Sequence, residues 1–218
     1  MDRKKDKPVG VNRRDALSIG GAVVASAIIP LSTQVQAKAA EQPTGEVPMF
    51  DPLTGLPGER LFYDRTESLM RLNLPGTTVA IIDIDDFETH RLRIGDSVLS
   101  AAILTLARRL ERFQNMDRVH TVGRLGESQF GALIVEGERH TLAHSLESIR
   151  YTMRAPMITA VRDMVFTTSI GAIERTNLTL SHHELIAMAC DAAAEARTAG
   201  ADNLRFYPHT GDAGQATT

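Results

Sequence analysis

Residues 77–85, TTVAIIDID, constrain the fold more than any other stretch of the chain. A continuous apolar run rich in β-branched residues and closed by acids reads as a buried strand. Around it the pattern changes to helical spacing. Residues 58–73 place Leu61, Phe62, Leu69, Met70 and Leu72 at helical intervals. Residues 95–113 repeat apolar positions at Val98, Leu99, Ala102, Ile103, Leu106 and Leu110, which predicts an amphipathic helix. Residues 118–123 and 129–136 read as two strands around a turn at Leu125–Ser128, residues 139–154 as a helix and 164–173 as a strand. Ser181, with Glu184 three residues on, forms a capping box that opens a helix running to about Ala199, closed by Gly200. Residues 203–207 finish as a short strand. The order α-β-α-β-β-α-β-α-β predicts an α+β domain with a mixed sheet and helices on its faces.

Composition narrows the function classes. At 218 residues the chain holds one ordinary domain with room for extensions. Its 43% hydrophobic and 23% charged residues exclude a collagen-like, wholly disordered or multi-span membrane protein. The single cysteine, Cys190, excludes an intrachain disulfide framework and any zinc cluster of several thiolates. A net charge of −3 gives no basic excess to draw nucleic acid, so no nucleic-acid partner is expected. The absence of Trp and the 5% aromatic content argue against a stacking platform for single strands.

The N-terminus reads as an address. Residues 1–15 carry a net +3, residues 16–32 are uncharged and mostly apolar, and Val35-Gln36-Ala37 is a small-x-Ala exit. Arg13-Arg14-Asp15-Ala16-Leu17 resembles the twin-arginine export signal, with Ala16 and Ser18 departing from it. A periplasmic location is expected; the alternative is an uncleaved anchor through residues 16–32, with the domain still facing outward. Removal of residues 1–37 leaves an acidic chain of net −6. Residues 38–48 read as a linker, residues 49–207 as the domain and residues 208–218 as a loose tail.

Several small signals have competing readings. His140 and His144 lie one helical turn apart with Glu147 a turn further, a spacing that holds zinc but equally fits a solvated face. His182-His183-Glu184 needs no role beyond opening a helix. Cys190 reads as a small buried residue among Met188, Ala189 and Ala192. Asp83, Asp85 and Asp86 form an acidic cluster with weak Mg²⁺ binding as an option.

Six ordered strings together resemble the GGDEF domain of the diguanylate cyclase family. They are Asp51-Pro52-Leu53-Thr54-Gly55-Leu56-Pro57 with Arg60-Leu61-Phe62; IDIDDF at 82–87; Ile94-Gly95-Asp96; Gly123-Arg124-Leu125-Gly126-Glu127-Ser128-Gln129-Phe130; Thr168-Ser169-Ile170-Gly171; and Ala189 through Gly200. The resemblance implies a nucleotidyl cyclase-like palm, a central mixed sheet flanked by helices. It also implies condensation of two GTP to cyclic di-GMP by two facing domains, with Mg²⁺ held by carboxylates.

Carried over residue by residue, the resemblance leaves the site eroded. Asp83 matches the first metal carboxylate. In the signature Gly126, Glu127, Ser128, Gln129, Phe130, the second metal carboxylate has become Ser128, the second glycine Glu127 and the glutamate Gln129. The phosphate-binding Lys after Phe87 is Glu88, the guanine-reading Asn falls at Arg91, and the Phe87–Asp96 loop is about four residues short of the family's usual length. Asp96 matches the guanine-reading Asp and Arg197 replaces a phosphate-binding Lys. Ala201 stands for an Arg, and Asp117-Arg118-Val119-His120 lacks the product-inhibition motif.

The expectation is therefore a domain with no intact catalytic set and vestigial nucleotide contacts at Phe87, Asp96 and Arg197. It would act without a cofactor on an unidentified protein partner, with a weak homodimer as an option. Two alternatives stay open. One is an active cyclase using Mg²⁺, in which a one-residue register shift brings Glu127 to the metal. The other is a GTP- or cyclic di-GMP-binding switch without turnover.

Overall fold

The computed structural model describes residues 48–114, 119–135, 138–158, 163–176 and 179–207. The expected leader at 1–37, the linker up to residue 47, Asp117-Arg118 and the tail at 208–218 lie outside the described residues.

The elements follow the expected order. They are α1 (Glu59–Arg71), β1 (Thr77–Ile84), α2 (Phe87–Gln114), β2 (Val119–Arg124), β3 (Gln129–Val135), α3 (Arg139–Met153), β4 (Thr168–Glu174), α4 (His182–Thr198) and β5 (Leu204–Phe206). The five strands form one sheet in the order β2-β3-β1-β4-β5. β1 lies at its centre, antiparallel to both β3 and β4. The β4–β5 pair is parallel, so the sheet is mixed.

The run at 77–85 is apolar throughout because both faces of the sheet are covered, and all eight residues of β1 are buried. Alternate side chains serve two cores. Ala80, Ile82 and Ile84 point with Phe130 and Ile134 into the layer of Leu106 and Leu110 of α2 and Leu146 and Ile149 of α3. Val79 and Ile81 point with Leu133 the other way, against Phe62 and Leu69 of α1 and Leu185 and Ala189 of α4.

α4 sits unusually close to the sheet. A Cβ built on Gly171 of β4 would lie 2.0 Å from the Ala193 nitrogen and 2.3 Å from the Ala189 carbonyl oxygen. The run of alanines at 189, 192, 193 and 196, all buried, is the helix side of this close approach. The helix starts at the expected capping box: Glu184 N donates to Ser181 Oγ, and Ser181 N donates to the Glu184 carboxylate at 2.8 Å.

Three expectations are corrected. The helix expected from residue 95 is present, but the segment 87–94 before it, expected as a loop, is helical too, with Phe87 and Ile94 packed against the core, so that α2 runs from Phe87. Gly95, at φ 75°, breaks the helical path in the middle, a conformation that costs glycine little. β4 begins at Thr168 rather than at residue 164, since Met164 forms an isolated bridge to Met157. Cys190 is half-buried rather than buried, and burial pushes its thiol pKa up. Among the described residues, no helix is long and apolar enough to cross a membrane.

Candidate functional site

Three elements meet at the C-terminal end of β1. Pairing with β3 sets Asp83 opposite Gln129, and Ile84 N donates to the Ser128 carbonyl at 2.9 Å. These backbone bonds fix Ser128 beside Asp83, and its Oγ donates to Asp83 Oδ1 at 2.7 Å. From the last turn of α4, Arg197 Nη1 donates to Asp83 Oδ2 at 2.7 Å. Gln129 Nε2 stands 3.4 Å from the same oxygen. Asp83 is 2% exposed, so its carboxylate is desolvated and answered entirely by protein donors.

The register of the hairpin decides where Glu127 goes. Arg124 pairs with Phe130, and Leu125 N donates to the Gln129 carbonyl, leaving Glu127 at the tip of the turn. Its carboxylate accepts from Arg91 Nη1 at 3.0 Å and is not a partner of Asp83. The shifted register that would carry Glu127 to the metal position is not the one adopted.

Arg91 also donates from Nε to Asp96 Oδ1 at 3.1 Å and stands 3.6 Å from Glu88. Its pKa is held above the usual arginine value, first by the Asp96 hydrogen bond and then by the charge of Glu127. Asp96 and Glu127 remain 82% and 70% exposed at their side chains, so this bridge is a surface network and individually weak.

Two shallow clefts flank the arrangement and share Phe87. One, of about 370 Å³, is lined by Asp86, Glu88, Thr89, Ser128 and Arg197. The other, of about 220 Å³, is lined by Arg91, Asp96, Arg124 and Glu127.

Arg124 was visible in the sequence only as part of a motif, and the structure gives it a role. It is buried, it donates to the Glu127 carbonyl, and it lies over the Phe130 ring at 4.7 Å. Burial pushes its pKa down, against the raising charges of Asp51 and Glu127. It pins the turn that presents Ser128.

The remaining sequence candidates make no contact with Asp83, although Asp86 lines the cleft beside it. Asp85 is engaged on the β4 side instead: it accepts from Ser169 Oγ at 2.6 Å and from Asp202 N at 2.8 Å. Asp86 sits at φ 50° and its carbonyl accepts from His90 N at the start of α2. His140 is exposed beside Glu138, and Glu147 is held by Arg150 at 2.7 Å. His182 meets the Tyr63 ring edge-on and His183 packs against it at a tilt.

Mg²⁺ prefers six oxygens in near-octahedral array, commonly with one or two carboxylates and substrate phosphates among them. The residues here do not fit that ion. Position 83 offers one carboxylate with both oxygens engaged, and position 128 offers a neutral hydroxyl where a second carboxylate is needed. Among the described residues, no three His, Cys, Asp or Glu side chains are grouped to hold a metal.

The family model described as diguanylate cyclase, GGDEF domain, matches residues 48–203. The chain belongs to the GGDEF family. Solved structures agree on the fold. The GGDEF domain of DgcB from Caulobacter crescentus, in complex with c-di-GMP, is 22% identical with a TM-score of 0.67, covering 74% of this chain and 97% of that one. The GGDEF domain of PA1120 (TpbB or YfiN) from Pseudomonas aeruginosa is 21% identical with a TM-score of 0.67, over 73% and 94%. Diguanylate cyclase SiaD from Pseudomonas aeruginosa, in complex with its activator SiaC, is 21% identical with a TM-score of 0.67, over 80% and 65%. At such identities the likeness establishes the palm fold and its mixed sheet. No curated protein matches the chain.

Proposed function

We propose that this GGDEF domain no longer cyclises nucleotide and works outside the cytoplasm as a regulatory, protein-binding module. One observation carries the reading: the carboxylate of Asp83 is held by Arg197 and Ser128. In the family's chemistry that carboxylate answers a metal, and the metal answers phosphates. Here the counter-charge comes from the chain itself. Loss of the second carboxylate alone removes a ligand worth on the order of 10³-fold or more in rate. Glu88 and Asp86 on the same cleft add negative charge where a triphosphate carries its own.

A protein partner fits this reading because SiaD, a solved neighbour of the same fold, is seen in complex with its activator SiaC. The twin-arginine-like leader supports export, and outside the cytoplasm GTP is scarce.

Purified chain incubated with GTP and Mg²⁺ is expected to yield no cyclic di-GMP above a no-protein control, and Asp83→Ala to change nothing. Turnover at ordinary cyclase rates overturns the reading. A C-terminal reporter active only outside the cytoplasm is expected to be on, and off when Arg13 and Arg14 are both changed to Lys. A reporter silent in the parent removes the export half.

A further inference from the structure

A buried carboxylate requires a cation or several donors, and at Asp83 the chain supplies both. Arg197 reaches it from the last turn of α4, with its own side chain 48% exposed, and so lies between the buried acid and the cleft of Asp86 and Glu88. A divalent ion approaching from that cleft must displace a charge-assisted hydrogen bond on one oxygen and the Ser128 hydroxyl on the other.

We infer that Arg197 is a resident guanidinium that has taken the place of a divalent cation at the end of β1. The native fold then draws no stability from metal. Removal of the guanidinium reopens the position, because it leaves Asp83 beside Ser128 on a cleft rimmed by Asp86 and Glu88. The inference deepens the proposed function and rests on it only in assigning no metal to this position.

The test is thermal unfolding of the full chain, in EDTA and with millimolar Mn²⁺ or Mg²⁺, with free Mn²⁺ followed by electron paramagnetic resonance. The parent is expected to show no change with either metal. Arg197→Met is expected to lose about 3–8 °C in EDTA and to recover at least half of that with Mn²⁺. Adding Asp83→Asn to that variant is expected to abolish the recovery. Arg197→Lys, which keeps a cation, is expected to lose less and to ignore metal.

An Asp83-dependent rise in the parent's melting temperature with Mn²⁺ overturns the inference. So does an Arg197→Met variant that is as stable as the parent in EDTA, or one that stays destabilised and blind to metal. If Arg197→Met does not fold, the parent's Mn²⁺ titration and Arg197→Lys decide on the same criteria. No nucleotide enters this experiment, so its failure is distinguishable from a positive cyclase assay.

Discussion

Single residues carry their weight here through what stands within a few ångströms of them. Asp83 is an acid whose behaviour is set by Ser128 and Arg197 rather than by its own chemistry. Gly171 is the opposite case, a residue defined by what cannot be added to it. Its missing side chain lets the α4 backbone rest on the sheet, and the obstructing atoms are main-chain atoms of Ala189, Ala192 and Ala193, which cannot rotate aside. Gly171→Ala is therefore expected to destabilise the domain by about 3 kcal/mol or more, read as a drop in denaturant midpoint. A loss well under ~1 kcal/mol would mean that α4 lifts off the sheet freely. The identities at the site were legible in the sequence; their partners were not. Arg91 read as a lost guanine contact, whereas it bridges Asp96 to Glu127. Arg124 read as a letter of a motif, whereas it pins the turn. Side-chain partners tens of residues away leave no periodic trace.

Elements were legible where their own pattern suffices to hold them. The capping box at Ser181 is local chemistry, and it is where the sequence placed it. Hydrogen bonds from the Ser181 backbone and hydroxyl lower the Glu184 pKa. A carboxylate depressed in the folded state stabilises above its unfolded pKa, and that stabilisation is lost as pH falls through the folded value. Glu184→Gln is expected to be less stable than the parent near neutral pH, with the gap narrowing as the solution is taken below the ordinary carboxylate range. A gap that holds constant into acid would show that the charge contributes nothing. The opening of α2 was missed for the converse reason. Thr89, His90, Arg91 and Arg93 carry no apolar rhythm, and the segment is helical because Phe87 and Ile94 anchor it to the core. The early start assigned to the β4 strand was a similar error: Met164 and Val165 are apolar, but only an isolated bridge to Met157 reaches that far. Periodicity also said nothing of strand order, since pairing β1 between β3 and β4 depends on contacts far apart in the chain.

At the scale of the whole molecule, the contact between Arg197 and Asp83 closes a span of 114 residues. Most of the sheet lies inside that span, so the contact is expected to form after β1, β3 and β4 have come together and α4 has settled upon them. The entropy of closing long spans defers such contacts to the final stage of folding. The pairing is thus a latch on the finished molecule rather than a seed for it. In stopped-flow refolding, Arg197→Met is expected to leave the folding rate essentially unchanged and to raise the unfolding rate, roughly tenfold. A slowed folding limb would place α4 in the nucleus. With the latch in place, a single guanidinium on the last turn of α4 governs how long the folded chain persists before it opens.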